Sequence, residues 1–84
     1  MFEVNISIEL KKGITDPEGE ATLKSLHLLG FENVKSVRTE KVFKIVIEGK
    51  KEEVKEKAEE MCKKLLTNPV IHEYRISIRE VEHD

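Results

Sequence analysis

Apolar and polar residues alternate without a break along residues 2–10 of the chain. The apolar set falls on every second residue: Val4, Ile6, Ile8 and Leu10. A period of two over this length is typical of a β-strand with one buried face. The pattern therefore predicts a first strand over residues 2–10.

A helix start follows this strand. Asp16 can accept hydrogen bonds from the free N–H groups of a helix, and Pro17 suits the first helical position. Gly30 is a typical helix end because glycine adopts a positive φ without strain. We therefore predict a helix from Pro17 to Leu29.

Two extended segments come next, over Val34 to Thr39 and Val42 to Glu48. We expect a tight turn near Glu40 to join them as a hairpin. The second segment places three apolar side chains on one face, at positions 43, 45 and 47.

The clearest helix is predicted from Lys51 to Leu66, where helical spacing repeats. Its apolar stripe consists of Val54, Ala58, Met61, Cys62 and Leu65. Pro69 prevents continuation, and the residue before a proline favours an extended backbone. A last strand is predicted from Ile71 to Val81, with Tyr74, Ile76 and Ile78 on one face.

The predicted order is strand, helix, strand, strand, helix, strand. It indicates an α+β fold of the ferredoxin-like β-α-β-β-α-β type, in which two helices cover one face of a four-stranded antiparallel sheet. Residues 1–84 are expected to form a single domain, because the chain is short and no linker interrupts the pattern. The last strand is expected at a sheet edge, where another chain could pair with it.

Composition excludes several classes of function. The 15 basic residues are balanced by 17 acidic residues, for a net charge of −2, so nucleic acid is not expected as a partner. No apolar run is long enough for a membrane span or a signal peptide, and a cytoplasmic location is expected.

Catalytic chemistry finds little support in the sequence. His27, His72 and His83 have no metal-ligand spacing, and Cys62 belongs to the apolar stripe of the second predicted helix. We therefore predict an inert thiol, no metal site and no catalytic residue.

The first predicted helix carries more apolar and small residues than a sheet-covering helix needs. Seven such residues spread over about 220° of the helical wheel: Ala21, Thr22, Leu23, Ser25, Leu26, Leu28 and Leu29. We interpret this surplus as a protein–protein contact, with a fully buried helix as the alternative.

Several motifs carry a family resemblance. Asp16-Pro17-Glu18-Gly19, Leu29-Gly30-Phe31, Val37-Arg38 with Lys41 and, most specifically, the segment from Leu65 to Ile71 resemble the PurS family. These proteins are the small subunits of phosphoribosylformylglycinamidine (FGAM) synthase in purine biosynthesis. The chain departs from the family at three positions: Glu40 replaces a usual glycine, Thr67 a common alanine and His72 a common glutamate.

The resemblance implies a non-catalytic subunit that associates with itself as a dimer or tetramer. It also implies that this subunit joins the large synthetase subunit to the glutaminase subunit of the complex, which uses ATP and ammonia from glutamine. ATP and magnesium are expected on the synthetase subunit, and no cofactor is expected on this chain.

The candidate interface residues lie at element ends and on the first predicted helix. They are Asp16, Pro17, Gly19, Leu23, Leu28, Arg38, Asn68, Pro69, Val70, Ile71, His72 and Tyr74. The turn residues among them also have a purely structural interpretation, because they can shape the start of one helix and the end of the other.

Two other functions stay open at this point. One is a free-standing ferredoxin-like regulatory domain that binds a small metabolite at a dimer interface. The other is an independent enzyme such as a small phosphatase, although no arginine-lined anion loop follows the first strand.

Overall fold

Three strands and two helices make up the computed structural model, which describes residues 1–82. In chain order they are β1 (Phe2–Leu10), α1 (Pro17–Leu28), β2 (Glu40–Ile47), α2 (Lys51–Met61) and β3 (His72–Glu80). A π-helical turn, Cys62–Leu66, extends α2. His83, one of the three histidines considered above as metal ligands, lies outside the described residues.

The sheet has the order β2-β1-β3, and both neighbouring pairs are antiparallel. Ile6, at the centre of β1, lies opposite Phe43 of β2 and Ile76 of β3. Residues directly opposite one another point to the same side of a sheet, so the predicted apolar faces of all three strands coincide. We name this side the core face and the other side the outer face. The edge position predicted for the last strand is confirmed.

The core lies between the core face and α2. Val54, Ala58 and Cys62 are buried there, together with Val4, Ile6 and Ile8 of the central strand. Burial raises the pKa of the Cys62 thiol, with a smaller contribution from the negative charge of Glu59. The thiol is therefore held protonated and shielded, and it behaves as a small apolar side chain.

The sheet has three strands rather than the predicted four, because residues 34–39 do not pair as a strand. Their backbone groups bond elsewhere: the Val34 carbonyl accepts from His27 Nε2 at 2.8 Å, and the Thr39 N–H donates to Asp16. The tight turn expected near Glu40 is also wrong, since Glu40 is the first residue of β2. Residues 34–39 therefore form hydrogen bonds to the α1 region in place of the predicted hairpin.

The first helix does not cover the sheet as predicted. Helix α1 makes hardly any contact with the strands, whereas α2 packs against β1 and β3. The Cα radius of gyration is 16.7 Å, compared with about 12 Å expected for a globular chain of this length. The arrangement of two helices on one face is therefore not observed, and α1 projects from the rest of the fold.

The π-helical turn changes which leucine faces the core. Leu65, predicted in the apolar stripe, is 82% exposed, while Leu66 packs against the core cluster. A π-helical turn holds more residues than the 3.6 of an α-helix, so the side chain after Cys62 that returns to the buried side comes one position later. The helical wheel was wrong at this position because it assumed an uninterrupted α-helix.

Candidate subunit interface

The carboxylate of Asp16 joins two distant parts of the chain. One oxygen, Oδ1, accepts the Gly19 N–H at 2.9 Å and so caps the start of α1, as predicted. The other, Oδ2, accepts from Thr39 twice, at 2.7 Å from the backbone N–H and 2.9 Å from the hydroxyl. Asp16 is only 6% exposed. This side chain thus ties the base of α1 to the residue that precedes β2.

Gly19 makes this junction possible. It is buried in the first turn of α1, and a Cβ at this position would clash with the carbonyl oxygen of Val37 and with the Asp16 carboxylate. Only a residue without a side chain lets the returning segment lie so close to the helix. Gly19 therefore has a packing role that the helix-start motif alone did not reveal.

Replacing Asp16 with asparagine tests the junction through its pH dependence. The pKa of Asp16 is lowered, first by the Gly19 N–H and then by that of Thr39. The carboxylate therefore contributes stability in full above its unfolded-state pKa of about 4, and this contribution is lost as the pH falls through the lower folded-state pKa. We expect Asp16→Asn to lower Tm at pH 7 by about 5 °C and to flatten the fall in Tm between pH 5 and pH 2.

Glu18→Gln is the matched control, since it removes an exposed carboxylate from the same helical turn. It should leave the acid-dependent fall in Tm as in the unmodified chain. Thermal unfolding followed by circular dichroism at several pH values measures all three proteins. Parallel profiles for Asp16→Asn and the unmodified chain would contradict the assignment.

The Val37-Arg38 motif and the segment from Leu65 to Ile71 both contact the end of β1. Arg38 Nη2 donates to the Leu10 carbonyl at 2.8 Å, and Leu10 pairs with His72 of β3. The Lys11 N–H donates to the Ile71 carbonyl at 2.8 Å. Local sequence patterns do not predict that these motifs lie near one another; the sheet register places both at one end of the molecule.

The turn before β3 is held by its own side chains. Asn68 Oδ1 accepts the Val70 N–H at 3.1 Å, and the Asn68 N–H donates to Nδ1 of His72 at 2.9 Å. These bonds support the structural interpretation of Asn68 and Pro69 as a built turn. Val70 nevertheless stands 78% exposed on it. The turn is thus held by its own hydrogen bonds and leaves an apolar side chain exposed to solvent.

An open cavity of about 720 Å³ lies beside this end of the sheet. Glu18, Thr39 and His72 are among its lining residues, so it separates the base of α1 from the core face. Its lining mixes carboxylates, a lysine and apolar side chains. Such a surface suits a protein contact better than it suits a single class of small ion.

Tyr74 packs against the core and bonds within the chain. Its hydroxyl donates to Glu59 Oε2 at 2.8 Å, which links β3 to α2. This hydrogen bond raises the pKa of Tyr74, because the carboxylate favours the protonated phenol. The assignment of Tyr74 to an interface stays a prediction.

Helix α1 and the returning segment 29–39 together form a projection that we name the arm. Leu23 and Leu26 are half-buried along it, at the helical spacing of buried Gly19. Its far end is apolar and open: Leu28, Leu29 and Phe31 are 89%, 73% and 54% exposed. Of the predicted contacts on α1, Leu28 is therefore accessible, while Leu23 lies toward the inner side of the arm.

A second open apolar surface lies on the core face beside α2. Ile45, Met61, Leu65 and Leu66 line a cavity of about 510 Å³ there, and we name it the groove. It meets the 720 Å³ cavity at Leu66, which lines both. The groove exists because α2 packs toward β1 and β3 and leaves the inward side chains of β2 half-covered.

Carboxylate, lysine and histidine side chains line the 720 Å³ cavity, but among the described residues they form no metal site. Within residues 1–82, no three His, Cys, Asp or Glu side chains are placed to hold a metal ion. None of the helices in that range is long and apolar enough to cross a membrane.

Some residues of the site escaped the sequence reasoning. Thr39 and Val37 were assigned to a strand, and Phe31 and Leu65 were not singled out as contacts. The Leu29-Gly30-Phe31 motif did carry a signal, because exposed apolar residues around a helix end are unusual unless something covers them.

Comparison with known protein families gives a match over residues 3–80, to the PurS model described as phosphoribosylformylglycinamidine (FGAM) synthase. A relative from Methanocaldococcus jannaschii, named phosphoribosylformylglycinamidine synthase subunit PurS, is 52% identical over 98% of this chain and 100% of its own length. The subunit of the same name from Archaeoglobus fulgidus is 58% identical over 90% of this chain and 96% of its own.

Solved structures agree with the sequence comparison. The crystal structure of M. jannaschii PurS superimposes with a TM-score of 0.90 at 50% identity and covers 98% of this chain and 100% of that one. A chain from the structure of PurLQS from Thermotoga maritima matches with a TM-score of 0.81 at 29% identity, over 93% of this chain and 96% of that one. The architecture seen here, with three strands and two helices, is thus shared with solved PurS proteins.

Proposed function

Because this chain belongs to the PurS family, we propose that it is the small, non-catalytic subunit of FGAM synthase in de novo purine biosynthesis. The observation that carries the proposal is similarity along the full length of both chains, at 52% identity. The matching chain from PurLQS supports a role inside a larger assembly.

In this proposal the chain binds to copies of itself, as a dimer or tetramer, and holds a synthetase subunit beside a glutaminase subunit. The open apolar surfaces at the arm tip and in the groove support such contacts, because a monomer rarely leaves several large apolar side chains exposed together. ATP and magnesium would bind to the synthetase subunit, and this chain would bind no cofactor. We place the assembly in the cytoplasm, where the single free Cys62 would stay reduced.

The physical contribution would be confinement of ammonia. Ammonia released by the glutaminase reaches the synthetase efficiently only if the two active sites are held in register and water is excluded between them. A small bridging protein can supply both without a reactive group of its own. The complex would then act as an ATP-dependent ligase while this chain acts as its connector.

Turnover with two nitrogen sources tests the role. The synthetase and glutaminase of the same organism are assayed with and without this chain, using either glutamine or excess ammonium. We expect glutamine-dependent formation of the amidine to rise at least 10-fold with the chain, and ammonium-dependent formation to change less than 2-fold. Equal glutamine-dependent turnover with and without the chain would reject the proposal.

A further inference from the structure

Two hydrogen bonds join Asn68 and His72 at the turn before β3. The His72 N–H donates to the Asn68 carbonyl at 2.8 Å, and the Asn68 N–H donates back to Nδ1 of the imidazole at 2.9 Å. We propose that His72 is a pH-sensitive switch for this turn: the neutral ring keeps the turn closed, and protonation of the ring opens it. The switch is a property of the turn itself and does not depend on the proposed function.

The direction of the second bond fixes the protonation state of the His72 ring. A backbone N–H can only donate, so Nδ1 must offer a free lone pair, and the ring proton must lie on Nε2. In the imidazolium form both ring nitrogens carry protons, and Nδ1–H would face the Asn68 N–H as a second donor. The bond therefore exists above the pH range, centred at about 6.5, in which histidine side chains ordinarily titrate, and it is lost as the pH falls through that range.

The turn depends on Asn68 more than on any burial. Besides its bonds to His72, the Asn68 side chain accepts the Val70 N–H at 3.1 Å, and its carbonyl accepts the Ile71 N–H at 3.0 Å. Asn68, Pro69 and Val70 are all exposed, so little packing opposes their movement. Because one residue anchors the whole turn, release of the Asn68 N–H is expected to loosen the segment that carries Val70.

Nearby charges do not replace the bond that protonation removes. Four charged residues of neighbouring elements line the cavity beside His72: Glu9 of β1, Glu18 of α1, and Glu40 and Lys41 of β2. Glu73, the next residue on β3, lies on the outer face, where Glu40 pairs with Arg75 at 3.1 Å. Arg38 adds a positive charge at the same end of the sheet, where it donates to the Leu10 carbonyl. Within residues 1–82, no carboxylate forms an ion pair with His72, so the protonated ring gains no bonded counter-ion.

His27 provides a comparison within the same chain. Its Nε2 lies 2.8 Å from the Val34 carbonyl, which can only accept, so this ring nitrogen donates. Nε2 carries a proton in the imidazolium form as well as in this neutral tautomer. Protonation therefore preserves the hydrogen bond of His27, whereas it breaks the bond that His72 accepts.

Amide hydrogen exchange followed by NMR tests the switch in the full-length chain. Exchange rates at pH 7.5 and pH 5.0 are divided into those of an unstructured peptide at the same pH, which gives a protection factor for each amide. We expect the protection factor of the Asn68 amide to fall about 10-fold at the lower pH, as for the loss of one hydrogen bond, and that of the Val70 amide to fall with it. The Val54 amide, which donates to the Lys50 carbonyl at the start of α2, should change less than about 2-fold.

Two substitutions of His72 separate its role as an acceptor from its titration. His72→Asn places an amide oxygen at the position of Nδ1 without a titrating group, so the Asn68 amide should stay protected at both pH values. His72→Leu has no acceptor, so protection should be low at both. His27→Asn is the control, and it should leave the pH response of the Asn68 amide as in the unmodified chain.

Three results would overturn the proposal. The first is an Asn68 protection factor that is the same at both pH values in the unmodified chain. The second is a fall of equal size in His72→Asn, because a group other than His72 would then cause it. The third is a fall at Asn68 with no change at the Val70 amide, which would show that the turn stays closed when the ring is protonated.

Discussion

Ile6→Ala is expected to lower the free energy of unfolding by about 2–5 kcal/mol. Ile6 is fully buried at the centre of the middle strand, opposite Phe43 on one side and Ile76 on the other. Truncation removes apolar contacts and leaves a cavity that neither neighbouring strand can fill without losing its register. Because natural domains are stable by only about 5–15 kcal/mol, this is a large fraction of the total.

Val46→Ala is the control for that substitution. Val46 is also a β-branched residue of a sheet strand, but it lies on the outer face and is 61% exposed. We expect it to cost less than about 1 kcal/mol. Urea unfolding at one fixed protein concentration measures both, because self-association would make stability depend on concentration. Similar losses for the two variants would show that Ile6 does not lie at the centre of the core.

Gly19→Ala is expected to destabilise the chain by about 1–3 kcal/mol, although it replaces glycine inside a helix. Helix propensity alone predicts the opposite sign, a gain of about 1 kcal/mol. The new Cβ would clash with the carbonyl of Val37, so the segment that precedes β2 must move away from α1. That movement would pull Thr39 from Asp16, and we expect faster hydrogen exchange at the Thr39 amide.

Ser25→Ala is the control for the sign of the stability change in Gly19→Ala. Ser25 is exposed on the same helix, where alanine should be neutral or slightly stabilising. If Gly19→Ala raised Tm as Ser25→Ala does, then the close approach of helix and returning segment would be absent from the protein. Unfolding monitored by circular dichroism and amide exchange by NMR would together decide the question.

The open shape of the monomer is consistent with a subunit of a larger enzyme. A chain of 84 residues has a small core at best, and this one leaves its first helix almost free of the sheet. Association would supply the burial that the monomer lacks. If the chain associates as proposed, its stability will depend on protein concentration, and the unfolding experiments therefore keep that concentration fixed.

Regular elements with strong local periodicity were predicted well from the sequence. The first strand was predicted over residues 2–10 and is observed at Phe2–Leu10. The shared apolar face of the three strands was also predicted, because a period of two fixes the side of a sheet on which each residue lies. The cap predicted at Asp16 was confirmed, and the structure identifies the Gly19 N–H as its donor.

Predictions failed where distant segments compete for the same backbone groups. Residues 34–39 have a strand-like sequence, yet Thr39 donates to Asp16, 23 positions earlier, instead of to a neighbouring strand. At Leu65 and Leu66 one π-helical turn exchanged the buried and exposed leucines. Neither result follows from local periodicity, since the first depends on a contact between residues 23 positions apart and the second on a departure from α-helical geometry.

The sequence by itself predicted the two helices, the three observed strands with their apolar faces and, through its motifs, the family, but it also predicted a fourth strand that does not form. Tertiary structure alone decided that α1 stands away from the sheet and that the two turn motifs meet at the end of β1. The physical reason is the separation along the chain over which each interaction acts. Periodicity and capping act within a few residues. The position of α1, in contrast, depends on the buried carboxylate of Asp16, which accepts hydrogen bonds both from Gly19 nearby and from Thr39, 23 residues later.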